Sequence, residues 1–138
     1  MNGALIRVRD VMTPSIRMIG RMDTVAQAIE AMRDAGVSSL VVERRDPADE
    51  YGLVTVAGIA RDVIARERPP ERINVYEVMT KPVLTVPTDM QTKYAVRLLV
   101  TFDLSRALVV DHSRVPVGIV TLRDMVLREA GSTAQQLR

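Results

Sequence analysis

The sequence predicts an α/β (α+β) protein in which one small unit is built twice. Three observations predict it. A hexapeptide recurs 67 residues on, as Val8-Arg9-Asp10-Val11-Met12-Thr13 and Val75-Tyr76-Glu77-Val78-Met79-Thr80. Short β-branched runs bounded by Gly or by polar turns read as buried strands. Two apolar stripes repeat at helical spacing. Each copy therefore reads strand, helix, strand, strand, helix.

In copy one, Ile16 to Ile19 is the first strand candidate. Thr24-Val25-Ala26-Gln27 is a capping box that opens a helix, Val25, Ala28, Ile29 and Met32 form its core stripe, and Gly36 ends it. Leu40-Val41-Val42 is a strand apolar on both faces, and Arg45-Asp46-Pro47-Ala48-Asp49-Glu50 is a turn. Gly52-Leu53-Val54-Thr55-Val56 then leads into a helix over about residues 58–66. Copy two repeats the order. Val83 to Val86 is its first strand, and a helix from about Asp89 to Phe102 places Ala95, Leu98, Leu99 and Phe102 in the core. Ala107-Leu108-Val109-Val110 is a strand, Asp111-His112-Ser113-Arg114 a tighter turn, and Gly118 to Thr121 a strand entering a helix that ends near residue 129. His112 reads as a solvated turn residue, and the methionines as core.

Between the copies, Glu67-Arg68-Pro69-Pro70-Glu71-Arg72 cannot continue a helix and marks a linker. The expected organisation is a first domain over residues 7–66, a linker over 67–73, a second domain over 74–130 and a disordered tail over 131–138.

Composition narrows the chemistry. Of 138 residues, 47 % are apolar and 26 % charged, which is ordinary for a soluble domain. One Phe, three Tyr and no Trp leave few platforms for stacking single-stranded nucleic acid. The net charge is only +2 and both signs are interleaved, so neither nucleic acid nor an anionic membrane is called for. With no Cys and a single His, thiol chemistry, disulfides and Cys/His zinc sites are excluded. No run approaches the roughly 20 apolar residues that span a bilayer, and the first residues do not read as a secretion signal, so a cytoplasmic location is expected.

One stretch carries chemistry. Gly118-Ile119-Val120-Thr121-Leu122-Arg123-Asp124 sets a hydroxyl and a carboxylate three residues apart where a strand gives way to a helix. Helix N-terminal amides attract anions, and a carboxylate can accept both hydrogen bonds of a ribose diol. The same spacing also describes a plain cap, with Thr121 accepting an amide and Asp124 favoured by the helix dipole. On these residues alone both readings stand.

The ordered repeat of Val-Met-Thr, strand, helix, Val-Val strand, Gly-Ile/Leu-Val-Thr and helix resembles a tandem pair of cystathionine-β-synthase (CBS) domains, over about residues 7–130. The resemblance implies two β-α-β-β-α units packed through their sheets with pseudo-twofold symmetry, often called a Bateman module. It implies clefts that in many members hold an adenosyl ligand such as AMP, ADP, ATP or an S-adenosyl compound, and sensing rather than catalysis. Carried over residue by residue, the first site takes Ile119, Thr121 and Asp124, with Arg106 facing phosphate. Its opposite wall comes from Thr13, Ile16, Met18, Val37 and Ser38.

A second site would take Thr55, Thr80, Val83, Thr85, Leu104 and Ser105, but Gly58 stands where its carboxylate should be. Asp62 is a decoy, seven residues beyond Thr55 instead of three, and reads as a helix-surface residue. This site is expected to be the weaker one, with its Thr and Ser residues serving as caps and turns. Arg17 and Lys81, on the two opening segments, are reserve cations for a phosphate.

The expected function is thus a regulatory module that binds an adenine nucleotide, with no obligatory cofactor, acting as a homodimer or on an effector protein in trans. A structural dimerisation module is the alternative. An enzyme is not expected, since no nucleophile and base can be assigned. Helices apolar on more than one face, through Ile59, Val63 and Ile64 or Met125, Val126 and Leu127, are the expected dimer surface.

Overall fold

The computed structural model describes the backbone of residues 5–136 and the side chains of residues 5–129. The chain divides into two compact units, a continuous one, Arg17–Val83, and a split one that joins the chain up to Ile16 with Leu84 onward. Copies in sequence and units in space are therefore offset by one segment. Each opening hexapeptide lies with the strands of the other copy.

The continuous unit holds β1 (Met18–Ile19), α2 (Val25–Ala35), β2 (Ser39–Val42), β3 (Gly52–Thr55) and α3 (Val56–Ile59), in a sheet of order β1-β2-β3. Strand β1 runs parallel to β2, and β2 antiparallel to β3 with Ser39 opposite Thr55. Thr24 caps α2 as the capping box requires, its Oγ1 accepting the Gln27 N–H at 3.1 Å while Gln27 Oε1 accepts the Thr24 N–H at 2.8 Å. Gly36 ends the helix in the left-handed region, at φ 66°, where a Cβ would be strained. Val25, Ala28 and Met32 face a core shared with Leu40, Val42 and Val54. Helix α3 starts two residues earlier than expected and widens into a π turn over Ala60–Ile64. Glu67, at φ 55°, lies just beyond it. The double-proline segment forms a 3-10 turn, Pro70–Arg72, and Ile73 then packs back into the core, its carbonyl accepting the Val25 N–H at 2.8 Å.

The split unit holds α1 (Val8–Val11), β4 (Thr85–Pro87), α4 (Thr92–Thr101), β5 (Arg106–Val110), β6 (Pro116–Thr121) and α5 (Leu122–Gln136). Its sheet repeats the first one, with order β4-β5-β6, a parallel pair then an antiparallel one. The hexapeptide opens as the short helix α1 here and as a 3-10 turn, Val75–Glu77, in the continuous unit. In both, the acidic residue bonds back to the amide three residues before it, Asp10 to Arg7 and Glu77 to Asn74.

Several expectations are corrected. The opening strands are shorter than Ile16–Ile19 and shifted from Val83–Val86, because pairing to β2 and β5 begins only at Met18 and Thr85. Helix α4 starts at Thr92, not Asp89. Gln91 before it is still extended, and the buried Thr92 donates to Glu129 Oε1 at 2.6 Å. Phe102 is not core but 58 % exposed, since the helix stops at Thr101 and its stripe ends at Leu99. The tail expected from residue 131 continues α5 as far as Gln136, and the last two residues lie outside those described. Finally, Ile59, Val63 and Met125 are buried in the two cores rather than presented outward. His112 lies exposed in its turn, as expected.

Candidate functional site

The corner where β6 passes into α5 is built from backbone rules. Thr121 ends the strand, and its Oγ1 accepts the Asp124 N–H at 3.1 Å, which leaves the hydroxyl proton to donate elsewhere. The Leu122 N–H donates to the Ser105 carbonyl at 2.8 Å, tying the start of α5 to the segment entering β5. Arg106, first residue of β5, lies directly across the ladder from Thr121. On the other side of β6, Thr13 and Ile119 exchange two backbone hydrogen bonds of 2.9 and 3.1 Å, so the opening segment adds one residue to the sheet.

Glycine makes that last contact possible. A Cβ on Gly118 would stand 2.5 Å from the Thr13 carbonyl oxygen and 2.8 Å from Met12 Sδ. The opening segment can approach β6 only because nothing projects there. Gly118, expected to bound the strand, lies inside β6 (Pro116–Thr121). Its position inside a β-branched run was the available sign of a close backbone approach.

Charge at the corner is mixed. Burial pushes the half-buried Arg106 guanidinium below its ordinary value, and the Asp124 charge opposes that shift. Asp124 is 43 % exposed and has Arg123 Nη1 3.6 Å away, itself 79 % exposed, a pair too solvated to hold the carboxylate in place. A half-buried cation, a solvated carboxylate, a helix start and a hydroxyl thus occupy one sheet end. Such a set can bind a polar anionic ligand that also carries a diol.

The continuous unit repeats the backbone of this corner without its chemistry. Thr55 Oγ1 accepts the Gly58 N–H at 2.9 Å, and the Val56 N–H donates to the Ser38 carbonyl at 3.0 Å. Thr80 and Leu53 exchange backbone bonds of 2.8 and 3.0 Å, as Thr13 and Ile119 do. Yet Ser39 stands where the first corner has Arg106, and Gly58 where it has Asp124. Asp62 lies on the π turn beyond and pairs with Arg61, Nε to Oδ1 at 3.1 Å, which lowers its carboxyl from the ordinary value.

The structure thus brings Thr13, Arg106, Ile119, Thr121 and Asp124 to one corner, and Ile16 belongs to the same unit. Met18, Val37 and Ser38 belong to the continuous unit. Met18 is 44 % exposed, Val37 packs on the core, and Ser38 serves the Thr55 corner. Of the second set, Thr55, Thr80 and Val83 share the continuous unit. Thr85, Leu104 and Ser105 belong to the split unit, where Thr85 is exposed, Leu104 packs on the core and Ser105 holds the Thr121 corner. Lys81, read as a reserve phosphate cation, is instead engaged by Asp49 at 2.6 Å. Among the described residues no group of three or more His, Cys, Asp or Glu could hold a metal ion, and no helix is long and apolar enough to cross a membrane.

Two copies of a β-α-β-β-α element, each ending in a threonine-capped helix, define a tandem repeat of the CBS type. The CBS domain family matches residues 8–64 and 75–131, and the chain belongs to that family as a tandem pair, a class of regulatory module. Among solved structures it is similar to the hexameric CBS-CP12 protein from bloom-forming cyanobacteria, at 29 % identity and a TM-score of 0.86, covering 92 % of this chain and 74 % of that one. The fold is also that of the CBS domain of the bacterial CNNM/CorC family Mg2+ transporter, solved in complex with ATP, with 23 % identity and a TM-score of 0.74 over 92 % of this chain and 89 % of that one. An uncharacterised protein of Methanopyrus kandleri is 30 % identical over 120 residues, 86 % of this chain and 57 % of its own length. The chain spans about half the length of the first curated relatives it matches, 57 % and 43 %.

Proposed function

We propose that this tandem CBS pair binds an adenosyl nucleotide of the AMP, ADP or ATP class at the Thr121–Asp124 corner and reports occupancy through its conformation or oligomeric state. It does so for its own assembly or for an effector protein in trans. The observation that carries this reading is the set Thr13, Arg106, Thr121 and Asp124 at one sheet end. Asp124 takes the ribose diol, the Thr121 hydroxyl donates to the ligand, and Arg106 with the first amides of α5 meets phosphate. The ATP complex of a protein with the same fold supports the choice of ligand. The role is sensing, with no obligatory cofactor and no reaction catalysed.

Isothermal calorimetry against AMP, ATP, NADH and S-adenosylmethionine tests it. One adenosyl ligand per chain is expected, because Gly58 leaves the Thr55 corner without a diol acceptor where the other corner has Asp124. At 100 times its dissociation constant a ligand should add about 2.7 kcal/mol of stability. Asp124→Ala should abolish that gain and Asp62→Ala should keep it. Two ligands per chain would overturn the asymmetry, and none at millimolar concentration would sink the nucleotide reading. The second outcome favours a structural dimerisation module, a reading supported by exposed Val56 and Ile64 beside an apolar groove.

A further inference from the structure

One place in the split unit is polar where the continuous unit is apolar. Thr92, at the start of α4, is fully buried and is the only buried polar side chain among the described residues. Its N–H donates to the Ile6 carbonyl at 2.9 Å, as the Val25 N–H does to Ile73 at 2.8 Å, so Thr92 and Val25 hold equivalent places. Thr92 Oγ1 lies 2.6 Å from Glu129 Oε1 on α5. Counted from the capping threonines, Glu129 follows Thr121 as Val63 follows Thr55, and Val63 shares its apolar core with Val25. A hydroxyl and a carboxylate thus replace two valines.

The replacement changes how α5 is held. Leu122, Met125 and Glu129 fall on one helix face, at the i, i+3 and i+7 positions. The first two pack on the core, but the third is docked by its carboxylate. Arg128 adds only an exposed bond, from Nη1 to the Asp10 carbonyl at 3.2 Å, and Val126 and Leu127 face outward. Beyond them the helix runs through Gly131, Ser132 and Thr133, poor helix formers that depend on tertiary support.

Release of Glu129 also strands no buried group. A hydroxyl has one proton to donate, and Thr92 Oγ1 has two acceptors for it, Glu129 Oε1 at 2.6 Å and the Ile6 carbonyl at 3.3 Å. With the helix docked, the proton lies toward the carboxylate. With Glu129 withdrawn, it turns to Ile6 and water hydrates the carboxylate. The penalty for an orphaned buried donor is avoided in both states, as a two-state element requires. Val63 has no such alternative, because undocking it exposes apolar surface to water.

We propose that the bond between Glu129 and Thr92 is a releasable latch, and that the end of α5 passes between a docked and an undocked state while its first turn stays at the Thr121 corner. This movement is the conformational signal by which the chain reports the occupancy of that corner. The reporting step rests on the function proposed above, but the latch itself does not. A ligand that ties down Thr121 and Asp124 stabilises the start of α5 and so favours the docked helix.

Amide hydrogen exchange of the full chain, read by NMR and corrected for intrinsic rates, tests the latch without any ligand. The amides of residues 129–133 should exchange at least about tenfold faster than those of β6, the ratio that about 1.4 kcal/mol between local and global opening gives. Thr92→Val alone leaves Glu129 without a donor and should speed residues 129–133 by about tenfold more. Thr92→Val combined with Glu129→Val, which copies the pair of the continuous unit, should slow them by a similar factor. Thr92→Ser keeps the donor and should match the wild type. Opposite signs from one and two substitutions separate a latch from a merely supporting contact, whose loss would speed exchange in both.

Equal exchange of residues 129–133 and β6 in the wild type overturns the proposal, since the helix end would then open only with the whole unit. So does a doubly substituted chain that exchanges there as fast as the wild type or faster. Saturating AMP should slow residues 129–133 in the wild type, and unchanged rates in a chain that calorimetry shows to bind AMP would overturn the reporting step. A chain that binds no nucleotide in calorimetry but exchanges as expected here would lose the function proposed above and keep the latch.

Discussion

At the scale of single residues, Arg106 and Lys81 illustrate how a cation's surroundings decide its use. Arg106 starts β5 opposite Thr121 and is half-buried beside the Asp124 charge, so a phosphate would meet a partly desolvated guanidinium. Arg106→Ala should weaken AMP by about ten- to a hundred-fold, since a charge-assisted hydrogen bond contributes roughly 1.5–3 kcal/mol. Adenosine should hardly respond, and competition titrations of both ligands check this. An equal loss for both would make Arg106 a support of the fold. Lys81 instead meets a carboxylate whose state sets an acid limit on stability. Unfolded Asp49 titrates near 3.8 and folded Asp49 well below, so its contribution is complete above that range and disappears as pH falls through it toward the folded value. Thermal melts from pH 6 to pH 3 should therefore fall less steeply for Asp49→Asn than for the wild type. The Thr121 and Asp124 spacing was legible because a cap is a local three-residue pattern. The Lys81 to Asp49 pair was not, because its partners are 32 residues apart and no spacing rule joins them.

At the scale of elements, the two opening segments reach their sheets only through glycines, and the two glycines are not equivalent. A Cβ on Gly118 meets backbone first, the Thr13 oxygen at 2.5 Å, whereas one on Gly52 meets the flexible end of Met79 at 2.7 Å and the Thr80 oxygen only at 3.4 Å. Backbone cannot turn aside as a thioether can. Gly118→Ala should thus cost about 1–3 kcal/mol, the usual range for overpacking, and Gly52→Ala less, as urea unfolding of the two variants will show. Gly118→Ala should also weaken the nucleotide, because it moves Thr13 from the corner. Local signals gave the elements well: the box at Thr24 and Gln27, the left-handed Gly36 and the apolar runs of β2 and β5 all stand where their chemistry placed them. Strand limits and the start of α4 were less legible, because they are set by pairing with distant segments. The exchange of opening segments is of the same kind, since nothing near Thr13 in sequence names Ile119 as its partner.

At the scale of the whole molecule, each unit keeps apolar side chains on its surface after its core is filled. In the continuous unit Val56 and Ile64 are 53 % and 55 % exposed, flanking a groove of about 400 Å³ whose walls include Ile29, Met32 and Ile59, with Arg33 the one charged residue on it. In the split unit Val100, Phe102, Val126 and Leu127 are each about half exposed or more, from 48 % to 65 %. Helical spacing explains the division seen in both, since Ile59 and Val63 lie four apart on the core face while Ile64 falls beside them, and Met125 points inward while its two successors do not. Soluble monomers rarely leave such apolar surface contiguous and uncovered, and closed twofold pairing is the commonest way to bury it. The occupant proposed here is a second copy of this chain. Light scattering at tens of micromolar should therefore give a dimer, and Ile64→Glu combined with Val126→Glu should shift it toward monomer, because a charge placed in a dry interface costs more than the contact returns. The paired substitution should leave each core intact, since neither residue is buried, and the melting transition of the separated monomer checks that. A wild-type monomer under these conditions would remove the dimer, and with it the simplest route by which nucleotide at the Thr121 corner reaches an oligomeric state.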